Sequence, residues 1–117
     1  MKLRMTKVDC ARCDDKDCRT GKDCFGLGEK IADLYAEGDR RSMQVSGRIE
    51  AEHYMKITRL EELMMYARGM GWSSLGIAFC IGLSEEARRL AELLSSKGFS
   101  VCSACCKVCG TDKKSLG

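Results

Sequence analysis

The chain has 117 residues, nine of them cysteine and none proline, and a formal charge of +3 at pH 7. That length sets one domain, or one domain with a small appendage. No apolar run approaches a membrane-spanning helix, and the segment from Met1 to Cys10 lacks the apolar stretch of a secretory signal. A chain without an export signal is expected in the cytoplasm, where thiols stay reduced. An odd number of cysteines at irregular spacing fits a disulfide framework poorly, so metal ligation or redox chemistry is expected instead. Basic residues are interleaved with acidic ones rather than clustered. Neither nucleic acid nor a membrane is therefore an expected partner.

Residues 1–24 carry Cys10-Ala-Arg-Cys13, then Cys18 and Cys24, a C-x2-C-x4-C-x5-C spacing. A C-x2-C pair closes a tight knuckle whose two sulfurs reach one ion, and two further thiols complete a tetrahedron. The residues between them, including Asp14, Asp15, Lys16, Asp17 and Arg19, offer no apolar core. A metal is the expected organiser of such a segment. The alternative is a charged arm with incidental thiols, which sits badly with four cysteines in fifteen residues. Ligand count favours Zn2+ or another tetrahedral ion. An iron–sulfur cluster also takes four thiolates and is the alternative, although the common bacterial cluster spacing is tighter. Four thiolates on one Zn2+ bring the formal charge to about +1.

Residues 25–117 read as a helical region followed by an α/β unit. Phe25–Ala36 predicts a short helix, interrupted at Gly38. Asp39 is expected to cap a second, polar helix to about Tyr54, with Met43, Val45 and Ile49 inward. His53, between Glu52 and Tyr54, reads as a solvated side chain rather than a ligand. Thr58-Arg-Leu-Glu61 is a capping box opening a helix to about Gly69, with Ile57, Leu60, Leu63, Met64 and Ala67 as its stripe. Methionines 64, 65 and 70 are read as core filler rather than soft metal ligands. Gly69 and Gly71 end that helix.

Leu75–Cys80 is a continuous apolar run, which predicts a strand buried on both faces. Ser84 is expected at a helix N-cap, with Glu85 and Glu86 against the positive dipole end. Leu83, Ala87, Leu90, Ala91 and Leu94 repeat at helical spacing, Gly98 ends the helix, and Phe99–Ala104 supplies a second strand. The fold class is therefore α/β. It comprises a cysteine-knuckle N-terminus, two or three helices, and a right-handed βαβ unit, half of a Rossmann-like or flavodoxin-like parallel sheet. Parallel pairing puts Cys80 and the Cys105–Cys106 region on one sheet edge, where open α/β sheets bind ligands.

Cys102-x2-Cys105 and Cys106-x2-Cys109 form back-to-back knuckles beside Cys80. Together Cys80, Cys102, Cys105, Cys106 and Cys109 make a second thiol or metal site. A helix N-terminus favours a thiolate at Cys80, and a buried, inert Cys80 is the other reading. Cys102 is alternatively a small hydrophobe packed on its strand.

The order of these pieces resembles a prokaryotic family of uncharacterised metal-binding proteins, a domain of unknown function. The likeness rests on the N-terminal Cys-Ala-x-Cys cluster and on Ile57-Thr-Arg-Leu-Glu-Glu-Leu. It continues through Leu75-Gly-Ile-Ala-Phe-Cys-Ile-Gly-Leu-Ser-Glu-Glu-Ala, Lys97-Gly-Phe-Ser-Val and Cys106-Lys-Val. It implies metal-binding cysteines at 10, 13, 18 and 24, with Cys80 and Cys106 in the α/β part, and it names no reaction. Strand alternation and this resemblance together make Cys106, rather than Cys105, the expected neighbour of Cys80. Members of the family look longer. Two parallel strands bury little surface, so a partner chain, a second copy in a homo-oligomer, or the metals are expected to complete the sheet.

The expected function is a small cytoplasmic metal-binding protein with a structural four-cysteine site and a cysteine-lined strand-end site. One alternative is a thiol-redox or iron–sulfur protein using Cys80 with Cys105, Cys106 or Cys109. Another is a zinc-dependent protein-interaction module. No general base stands near these thiols in the sequence, which argues against an enzyme.

Overall fold

The structure, a computed structural model, describes residues 9–117. The polypeptide divides into two compact units, Met1–Ala36 and Glu37–Gly117. The change in composition after Cys24 thus precedes the structural division.

In the first unit, short 3-10 turns span Cys10–Arg12, Asp17–Thr20 and Ala32–Leu34, and α1 (Gly28–Ile31) is a single helical turn. Asp23 organises the approach to α1. Its carboxylate accepts the Gly28 N–H at 2.7 Å and the Phe25 N–H at 3.3 Å. Those backbone donors, Gly28 first, hold the Asp23 carboxyl below its ordinary pKa. The helix expected over Phe25–Ala36 is cut to this one turn. Gly26 takes the left-handed conformation at φ +65°, and Tyr35 is extended. A short helix is marginal without packing, and every described residue of this unit is exposed.

In the second unit, α2 (Glu37–His53) runs straight through Gly38, which does not interrupt it. Asp39 lies in its first turn with Glu37 rather than capping it. A helical glycine costs only about 1 kcal/mol, and both carboxylates lie where the dipole favours them. Packing against α3 (Arg59–Gly69) supplies the rest. Ser42 and Tyr66 share a hydroxyl hydrogen bond of 2.6 Å, and Tyr66 meets Trp72 edge to face with centroids 5.5 Å apart. The capping box forms as the sequence predicts. The Thr58 hydroxyl accepts the Glu61 N–H, and the Glu61 carboxylate accepts the Thr58 N–H.

β1 (Ser74–Phe79) and β2 (Ser100–Cys105) pair in parallel, in register from Ser74↔Ser100 to Phe79↔Cys105. Between them runs α4 (Ser84–Ser96). It begins after a 3-10 turn, Ile81–Leu83, and Ser84 is its first residue rather than its cap. The Ser84 hydroxyl donates back to the Ile81 carbonyl instead of accepting a helix N–H. At the other end, Gly98 at φ +92° closes a Schellman motif. The Gly98 N–H reaches the Ser95 carbonyl at 3.0 Å, and the Phe99 N–H reaches that of Leu94 at 3.1 Å.

Leu94 and Phe99 join Met64 and Ala67 in the buried core, with Leu60, Leu75, Ile77, Leu90 and Val101 packed on it. α3 and α4 therefore cover one face of the two strands. Exposure along β1 alternates: Leu75, Ile77 and Phe79 are half-buried, while Gly76 and Ala78 are exposed. The apolar run predicts burial on both faces. The structure packs only one, because both helices and the whole core lie on it. No helix among the described residues is long and apolar enough to cross a membrane.

Candidate functional site

The four N-terminal cysteines are all exposed free thiols. Cys10 and Cys13 flank a tight turn in which the Cys13 N–H reaches the Cys10 carbonyl at 3.3 Å. That is a tight turn of the kind the C-x2-C spacing predicts. Cys18 lies in the next 3-10 turn, which Lys16 enters with φ +48° and Gly21 leaves with φ +103°. The Cys24 thiol donates to the Lys22 carbonyl at 3.9 Å. All four cysteines line one cavity of about 240 Å3, together with Asp15, Asp17 and Asp23. Four thiols are the type and number of donors that tetrahedral metal sites use. Even so, no three histidine, cysteine or carboxylate side chains among the described residues converge tightly enough to share an ion.

The strand-end cysteines separate by face. Val101 and Cys105 are the half-buried residues of β2, on the helix-covered side, and Cys105 stands opposite Phe79. Cys102 lies on the open face opposite Gly76, its thiol donating to the Leu75 carbonyl at 3.8 Å. Four residues along a strand is about 13 Å, so Cys102 stands well back from the edge. Cys109 lies beyond the turn in which the Val108 N–H reaches the Cys105 carbonyl at 3.0 Å. Cys80 and Cys106 occupy the first position past the last strand pair. There the Cys106 N–H continues the ladder to the Phe79 carbonyl at 2.9 Å. These are the two thiols that the fold brings side by side.

The electrostatics at that point favour Cys106. The Ile81 N–H, first in the 3-10 turn leading to α4, donates to the Cys106 sulfur at 3.4 Å. That bond lowers the Cys106 pKa most; desolvation opposes it, and hydrogen bonding with the Cys80 side chain and the charge of Lys107 reinforce it. The sequence points to Cys80 as the thiol served by the helix start. The folded chain delivers the free N–H to Cys106, across the strand pair. Spacing alone does not find Ile81, because the donor is a backbone group. Lys107 is visible in the sequence only as the residue after Cys106.

His53 ends α2 half-buried, its Nε2 3.9 Å from Glu52. A larger cavity, about 780 Å3, lies between α2 and α3 beside Ile49, Tyr54, Ile57 and Leu63. No cysteine lines it.

Fold and thiols define a cysteine-rich α/β protein with a parallel strand–helix–strand unit and a pair of thiols at its carboxyl edge. The chain belongs to the family described as Protein of unknown function (DUF1847), whose model matches residues 18–117. The matched part begins at Cys18, so Cys10 and Cys13 lie ahead of it. An uncharacterized protein of Methanocaldococcus jannaschii is 50% identical over 108 residues, covering 91% of this chain and 55% of the relative. The chain thus spans about half the length of that curated relative. No solved structure matches it.

Proposed function

We propose that the chain is a small cytoplasmic metal-binding protein in which Cys10, Cys13, Cys18 and Cys24 hold one structural ion, Zn2+ by ligand count. The observation that carries this reading is the gathering of all four thiols around one cavity, in a unit whose described residues are all exposed. Such a stretch has no apolar core, so another source of order must supply what burial does not. Zn2+ supplies folding free energy in sites of this kind and requires its thiols as thiolates. Uptake is therefore expected to release protons and to tighten residues 9–24.

Metal analysis and an absorption spectrum of anaerobically purified protein test the proposal. Stoichiometric zinc in colourless protein is the expected result. A broad band near 400 nm would replace zinc with an iron–sulfur cluster. Cys13→Ser and Cys24→Ser should each lose metal while α4 stays folded. Full metal retention in both variants would overturn the assignment.

A further inference from the structure

We infer that Cys106 and Cys80 form a redox-active dithiol that exchanges with small-molecule disulfides, Cys106 attacking first and Cys80 resolving. This goes beyond the metal reading, which concerns other cysteines in the other unit.

The first support is register. β1 and β2 pair from Ser74↔Ser100 to Phe79↔Cys105, and the Cys106 N–H bonds the Phe79 carbonyl at 2.9 Å. Cys80 and Cys106 are thus the next opposed positions. Neighbouring strands lie about 4.8 Å apart, and a disulfide spans Cα atoms about 4.4–6.8 Å apart. The expected Cα spacing of the pair thus falls inside the range a disulfide spans. Residues directly opposed on parallel strands share a face.

The second support is the difference between the two thiols. Cys106 accepts the Ile81 N–H at 3.4 Å, so its sulfur is the one prepared to carry negative charge. Lys107 adds a positive charge beside it. Both thiols are free and exposed, so a small disulfide can reach them. Cys105 turns to the opposite face and Cys102 stands about 13 Å back along its strand, which leaves Cys80 as the resolving group.

The chemistry balances as two displacements. The Cys106 thiolate attacks one sulfur of the disulfide, forming a mixed disulfide and expelling the first thiolate. Cys80, its proton passing to solvent, attacks the Cys106 sulfur. The Cys80–Cys106 disulfide forms and the second thiolate leaves. The protein dithiol loses two electrons and two protons, and the substrate disulfide becomes two thiols.

The test uses oxidised glutathione on the whole chain, with tandem mass spectrometry of a non-reduced digest locating each modification. Wild-type protein should yield the Cys80–Cys106 disulfide as its first product. Cys80→Ser and Cys80→Ala should instead accumulate glutathione on Cys106. Cys106→Ser should take up glutathione at Cys80 at least tenfold more slowly. Because every site is read separately, reaction among Cys10, Cys13, Cys18 and Cys24 does not obscure the result. Comparable adduct formation at Cys102, Cys105 and Cys109 would overturn the proposal. So would a pair that reacts only after a chelator removes a stoichiometric metal from it.

Discussion

The Val45 side chain occupies the space that a side chain on Gly69 would need: a Cβ there would lie 2.6 Å from Val45 Cγ1. Gly69 closes α3 where α2 crosses it, so this contact sets how near the two helices come. Val45 is β-branched and stiff about χ1, which leaves it little room to yield. Gly69→Ala should therefore destabilise the second unit by about 1–3 kcal/mol, the usual cost of overpacking. Val45→Ala should restore much of that loss in the double variant. Denaturant melts of the four proteins measure the coupling. Additive effects would show that the helices separate freely.

Cys106 should alkylate at lower pH than an ordinary thiol, because the Ile81 N–H holds its pKa down. Iodoacetamide labelling followed by peptide analysis should show Cys106 ahead of Cys102 near pH 7. Ile81→Pro removes that donor at the first position of a 3-10 turn, where proline is tolerated. Cys80 before it is already extended, as a residue preceding proline must be. The ring would displace the thiol, and the labelling midpoint of Cys106 should move up. An unchanged midpoint would show that the N–H contributes nothing.

The capping box makes a prediction in acid. Bonding to the Thr58 N–H and hydroxyl lowers the Glu61 pKa below its usual 4.5. A carboxyl depressed on folding lends stability that is full above its unfolded pKa and is lost as pH falls through its folded one. The Glu61 contribution should thus be full above that usual value of 4.5 and fade as pH falls from there through the lowered folded value. Glu61→Gln should flatten that part of the stability profile. Thr58→Ala should cost about 1 kcal/mol at neutral pH, read as a lower midpoint in urea.

Gly98 and Leu94 bear on the turn from α4 into β2. Gly98→Ala places a side chain at φ +92°, a strain of about 1–2 kcal/mol. Leu94, only 1% exposed, should cost about 2–5 kcal/mol on truncation to alanine. Both losses should appear in thermal melts of the α4 signal. Metal content of the first unit should not change, since its proposed ligands all belong to that unit.

Local chemistry made several elements legible in the sequence. The Thr58–Glu61 box, the glycine at 98 and the helical spacing of Ala87, Leu90 and Leu94 each act through neighbours a few positions away. Parallel pairing followed too, because a single helix between two strands permits little else. Cys10-x2-Cys13 likewise predicts its own turn. Tertiary structure decided the rest. Whether α2 tolerates Gly38 depends on α3 packing against it. Which face of Leu75–Cys80 is buried depends on where both helices settle. Strand alternation already favours Cys106 over Cys105 as the neighbour of Cys80; the register adds that Cys80 and Cys106 are the next opposed positions and that Cys105 takes the packed face. The donor that singles out Cys106 is a backbone N–H twenty-five residues away. Only the folded chain brings it there.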